Sequence, residues 1–281
     1  MPQFERYIGI DYSGAETPTS SLKALRVYAA DWLMPPKEVS PPPSPRKYWT
    51  RRGVAEWLVS QLTSEKPILV GIDHAFSFPL QYFEKHRLPL DWLKFLDDFQ
   101  KHWPTDEANT YVCFVREGHR GQGAKSQGEA SWLRLTEQWT ATAKSVFQFD
   151  VQRQVATSTH AGLPWLRFIR EHCRDRVHFW PFDGWEIPAS CSVLAEVYPS
   201  LWMRRFPTEE RNNDQHAAYS VAAWLLLDAV DQRLGVVAKA QRRLEGIVLR
   251  QVAKGEPALD LFADAVHAAF YCYFFHLLFL G

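Results

Sequence analysis

A short apolar, β-prone run at 7–10 ends at Asp11, and Ser13 and Gly14 then supply a turn signal. Residues 22–33 form a second strand candidate, which predicts a hairpin with the first. The stretch 35–45 is rich in proline, which excludes helix and predicts an extended surface loop. Residues 47–50 are again β-prone. Val54, Leu58 and Leu62 then recur at helical spacing, with Trp57 beside them, so 52–62 is predicted as helix. Pro67 precedes a nearly continuous apolar run, 68–73, typical of a central strand covered on both faces; it ends at Asp73. Residues 91–103 read as helix. The segment 116–128 holds four glycines and four basic residues, the composition of a mobile loop that could act as a lid or a phosphate-contacting arm. Residues 163–173 predict a helix with Pro164 in its first turn, and 177–180 and 193–197 are short strands. Helical patterns at 215–232, 238–253 and 259–280 close the chain. The expected architecture is one α/β domain over 1–281, a mixed sheet flanked by helices with extra C-terminal helices over 215–280. No internal repeat interrupts it.

Charge narrows the partners. Lys plus Arg balance Asp plus Glu at 32 each, so the net charge is zero, which disfavours a protein that coats nucleic acid through a broad basic surface. A local basic patch stays compatible with a nucleic-acid partner. Cys113, Cys173, Cys191 and Cys272 make no CxxC pair, which argues against a zinc knuckle and for a reducing compartment. The first residues lack the pattern of a secretory signal, so a cytoplasmic location is expected. The apolar stretch 265–281 is shorter than the roughly 20 residues that span a bilayer, and it contains His267 and His276. It is expected to be a buried helix, with no membrane partner.

Candidate chemistry lies where strands end. Gly9-Ile10-Asp11 and Gly71-Ile72-Asp73 close two apolar runs in the same way. If the two strands are parallel neighbours, both carboxylates emerge at one sheet edge, where open α/β sheets bind ligands. Carboxylates about 5 Å apart repel unless a cation lies between them, and an oxygen-only site suits Mg²⁺ or Mn²⁺. A lone Asp after a strand more often caps a turn; the matched pair favours a metal site. Glu196 ends a third strand candidate, where it is as compatible with a salt bridge as with a third acid.

The segments IGIDYSGAE at 8–16, VGIDHAFSFP at 70–79, EVYPSL at 196–201 and DQHAAYSVAAWL at 214–225, in this order, resemble the DUF429 family. KYWTRRGVAEWL at 47–58 and THAGLPWL at 159–166 are also similar to family features. The resemblance runs from about residue 7 to 250 and implies an RNase H-like fold with an acidic active site. By position it implies Asp11 as the first-strand metal ligand, Asp73 as the acid of the neighbouring strand and Glu196 as a further acid. The family pattern at the last acid resembles His-Asp-Ala, whereas this chain has His216-Ala217-Ala218. Asp214, nearly one helical turn earlier, and Asp264, in a second Asp-Ala segment, are the candidates to replace it; an incomplete site is the third alternative. The activity implied is phosphodiester hydrolysis with two ions roughly 4 Å apart, and His74, His160 or His216 could move protons.

Two other readings stay open. An actin-like nucleotide-binding protein shares the strand-Asp-turn opening, but it normally duplicates the domain, and no GxxxxGK[ST] motif occurs. A non-catalytic interaction module on the same fold is favoured by Ala217. Trp49, Trp57, Trp132, Trp139, Trp165, Trp180 and Trp185 could stack on bases but more often fill a core. The doublets Arg51-Arg52, Arg204-Arg205 and Arg242-Arg243 could meet phosphates or simply be solvated.

Overall fold

A computed structural model describes residues 4–43, 46–134, 137, 138, 140, 143–150 and 155–233. Asp264 and the helical patterns at 238–253 and 259–280 lie outside the described residues, as do Trp139 and the doublet Arg242-Arg243. The described chain is α/β. Its strands are β1 (Arg6–Asp11), β2 (Arg26–Asp31), β3 (Lys37–Glu38), β4 (Ile68–Asp73), β5 (Val177–Trp180) and β6 (Ser192–Glu196). They form one six-stranded sheet in the order β3-β2-β1-β4-β6-β5. β1, β2 and β3 pair antiparallel, as the hairpin reading expects; β1, β4, β6 and β5 pair parallel.

The helices are α1 (Arg51–Leu62), α2 (Leu80–His86), α3 (Trp92–His102), α4 (Val112–Arg116), α5 (Val155–Cys173) and α6 (Asn213–Arg233). They cover both sheet faces. On one, Ile8 and Ile10 of β1 and Val70 and Ile72 of β4 join a large core with α1, α3 and α5. On the other, Tyr7 and Tyr28 pack with Ala218, Val221, Ala222 and Leu225 of α6. The central strands are apolar on both faces because both are covered. Among the described residues no helix is long and apolar enough to cross a membrane.

Several local details depart from the expectations. Residues 47–50 make no strand; Thr50 is the N-cap of α1, its hydroxyl accepting from the Gly53 N–H at 2.9 Å. The short β3 lies instead inside the proline-rich stretch. α5 starts at Val155, so Pro164 falls inside the helix rather than in its first turn. Proline cannot donate to the carbonyl four residues back. Here the Thr105 hydroxyl donates to that orphaned carbonyl of His160 at 2.7 Å. The glycine-rich stretch 116–128 is partly packed: Gly123 and Ser126 are buried, and the Trp103 indole donates to the Ser126 carbonyl at 3.1 Å.

The aromatic residues mostly do core work. Trp49 and Trp165 are buried, Trp57 and Trp132 pack against the large core, and Trp185 is exposed. Arg204 and Arg205 are exposed, whereas Arg51 is fully buried.

Candidate functional site

Asp11 and Asp73 are Cα partners in the parallel β1–β4 ladder, so the two carboxyl ends stand side by side. The strand pleat sends alternate side chains to alternate faces. Ile8, Ile10, Val70 and Ile72 take the large-core face, so Asp11 and Asp73 share the other face with Gly9 and Gly71. Both aspartates are half-buried.

The two glycines explain how α6 reaches this edge. Gly9 and Gly71 are also Cα partners. A Cβ at Gly9 would lie 2.6 Å from the Ala222 nitrogen and 2.8 Å from the Val221 Cβ; one at Gly71 would lie 2.7 Å from a Val197 methyl and 2.8 Å from a Val221 methyl. Only glycine lets the helix sit so close to the sheet. The helix is capped by Asn212: its side chain accepts from the Gln215 N–H at 2.9 Å, and the Gln215 side chain accepts from the Asn212 N–H at 3.1 Å. Gln215 also donates to Glu38 at 2.8 Å, and Glu38 pairs with Arg26, the Cα partner of Asp11. The first turn of α6 therefore lies at the carboxyl edge.

That turn holds the remaining candidates. Ala218, Val221, Ala222 and Leu225 make the sheet-facing stripe, and helical spacing continues it back to Asp214. Asp214 is half-buried at the start of the helix, where a carboxylate also complements the helix dipole. Ala217 is buried and offers only a methyl group. The His216 ring is buried, with Nε2 at 3.0 Å from the Met203 carbonyl, which can only accept, so Nε2 carries the proton.

The loops after β1 and β4 are fixed from the opposite side of the sheet. Buried Arg51 donates to the carbonyls of Ala15 and Glu16, the latter at 2.8 Å, and so clamps the turn after Asp11. The Ala75 N–H donates to the Thr159 hydroxyl of α5 at 3.1 Å. His74 is buried, with Nδ1 donating to its neighbour's carbonyl at 2.9 Å and Nε2 packed against Gly162; burial pulls its pKa down to about 4. His160 lies in an aromatic cage in the large core and is pulled by burial down to about 3. Both rings are neutral at ordinary pH, and both are enclosed by protein.

Glu196 stands beside Ile72 in the β4–β6 ladder, on the large-core face. Its carboxylate is held in a fork by Arg134, Nη1 to Oε2 at 2.9 Å and Nη2 to Oε1 at 2.7 Å, and Oε2 also accepts from the Phe76 N–H at 2.9 Å. The Arg134 Nε donates to Glu137 at 2.9 Å. All three side chains are buried. Burial disfavours the guanidinium's charge, but Glu137 and Glu196 outweigh it and hold Arg134 firmly protonated. Asp73 has the opposite balance: burial and then the Glu196 charge push its carboxyl up to about 7. A cation at the edge would reverse that shift.

The residues present fit one divalent ion better than two. Asp11 and Asp73 offer two carboxylates on one face, enough for Mg²⁺, which keeps several waters of its own. Glu196, the expected third acid, is committed to Arg134. Among the described residues no group of three or more His, Cys, Asp or Glu is placed to hold an ion.

Arg134 and Glu137 escape sequence reasoning. Their only local signal is the three-residue spacing between an arginine and a glutamate in an irregular segment. Compared with family models, curated proteins and solved structures, the chain matches none.

Proposed function

We propose that this chain is a divalent-metal-dependent phosphodiester hydrolase of RNase H-like type, a nuclease whose ion sits on Asp11 and Asp73. The observation that carries the reading is their registered pairing at the carboxyl ends of adjacent parallel strands. Such an edge is where open α/β sheets bind ligands, and the antiparallel β1–β2–β3 flank beside a parallel half suits the RNase H-like arrangement. A Mg²⁺ or Mn²⁺ ion would supply Lewis acidity toward a phosphate oxygen and a more acidic bound water.

The chain's own residues would hold and orient. Asp11 and Asp73 would bind the ion, and Arg51 would keep the turn after Asp11 in place through its carbonyl contacts. Asp214, on the sheet-facing stripe of α6, completes no three-acid group with them among the described residues, so the pair alone would hold the ion. His74 and His160 are enclosed and neutral, which removes them as proton shuttles in this reading.

The test is cleavage of single-stranded and duplex DNA, RNA and hybrid substrates with Mn²⁺ or Mg²⁺. The wild type should cleave at least one, and Asp11→Asn and Asp73→Asn should each lose about 100-fold or more. A wild type inert on every substrate would sink the nuclease reading. A second reading, a non-catalytic module on the same fold, draws on Ala217 and on the pairing of Glu196 with Arg134. It expects a folded, stable and inert protein.

A further inference from the structure

We infer that Arg134 is the resident cation of the acidic edge, holding Glu196 in place of a second metal ion, so that the site takes a single divalent ion on Asp11 and Asp73. The inference rests on the metal-site reading above and goes beyond it in fixing the number of ions and the role of Arg134. Glu196 closes β6 one register step before the level of Asp73. A second ion held through Glu196 would need its oxygens. Both are taken by one guanidinium, in the bidentate geometry that binds carboxylates most strongly. The Phe76 N–H adds a third donor, from the loop that follows Asp73 itself.

Arg134 is a positioning residue. Its Nε, Nη1 and Nη2 all point at carboxylates, leaving no fork for a substrate phosphate. It is also built in. The Arg134 N–H donates to Glu137 at 2.8 Å, and the Ser145 hydroxyl donates to the nearby Trp132 carbonyl at 2.7 Å, tying the segment to itself. Trp132 then packs edge-on against buried Phe147. An ion competing for Glu196 would have to strand a buried guanidinium, which is a heavy penalty. One arginine facing two glutamates leaves one net negative charge, so the cluster is compensated in part.

The experiment is Mn²⁺ titration of the full chain by calorimetry, with the free ion counted by electron paramagnetic resonance and the fold checked by circular dichroism. The wild type should bind one ion. Glu196→Gln should keep that ion within about twofold in affinity, because Glu196 does not ligate it. Arg134→Met should bind a second ion or bind Mn²⁺ about tenfold tighter, since it releases a carboxylate. Two ions in the wild type, a tenfold loss in Glu196→Gln, or an unchanged, folded Arg134→Met would each overturn the role of Arg134 while leaving the Asp11–Asp73 site standing. If Arg134→Met does not fold, the wild-type ion count and Glu196→Gln decide. Absence of Mn²⁺ binding in every protein would overturn the metal-site reading and this inference with it.

Discussion

His160 is enclosed by Phe78, Phe99, Trp103, Phe147 and Phe149, with Nδ1 donating to the Ala156 carbonyl at 2.9 Å and Nε2 left without a partner. Such a ring behaves as a core aromatic that must stay neutral. Burial lowers its pKa from 6.5 to about 3, so the folded state refuses the proton that the unfolded chain accepts. The contribution is complete above the unfolded pKa and is lost as pH falls from there toward the folded one, at about 1.4 kcal/mol per pH unit. Urea melts at pH 7 and pH 5 should show the wild type losing about 2 kcal/mol more than His160→Leu over that interval. Equal losses would show that the ring is not held neutral. Arg51 is the charged counterpart at this scale. Its buried guanidinium is met by backbone carbonyls of the turn after Asp11, and Arg51→Met should destabilise the fold by about 3 kcal/mol in thermal or urea melts.

The glycine pair does at the scale of elements what the aspartate pair does at the edge. Val221 of α6 would meet a Cβ at either Gly9 or Gly71 within 2.8 Å, so each glycine is a seat for the helix rather than a hinge. Gly9→Ala would press on the α6 backbone, which cannot rotate away, and Gly71→Ala on valine methyls, which can yield a little. Both should lower stability by about 1–3 kcal/mol, Gly9→Ala by more; a neutral Gly9→Ala would contradict the close approach. The repeated Gly-Ile-Asp pattern was therefore legible in its third residue, while its first residue gives no hint of a helix above it. β1, β2, β4, β5 and β6 were legible because each is a bounded apolar run. α2 and α4, of 7 and 5 residues, are too short for a 3.6-residue period to show. Glu196 was legible as an acid at a strand end. Its pairing was not, because Arg134 arrives from 62 residues away on an irregular segment.

At the scale of the molecule, a six-stranded sheet with a helix seated on one face and a larger helical layer on the other leaves one edge where three strand ends deliver acids. One acid is answered internally by Arg134, and two stand together on the face that α6 covers. An ion bound there only in the folded state stabilises it by mass action, by about 2.7 kcal/mol at a hundredfold excess over Kd. Mn²⁺ should therefore raise the melting temperature of the wild type and leave that of Asp11→Asn unchanged. An ion on Asp11 and Asp73 would show directly in an anomalous difference map from a crystal soaked in Mn²⁺. A single peak between Asp11 and Asp73, within bonding distance of a carboxylate oxygen of each, is the predicted result. A map with no peak there, or with an ion on Glu196 and the Arg134 fork displaced, would contradict it.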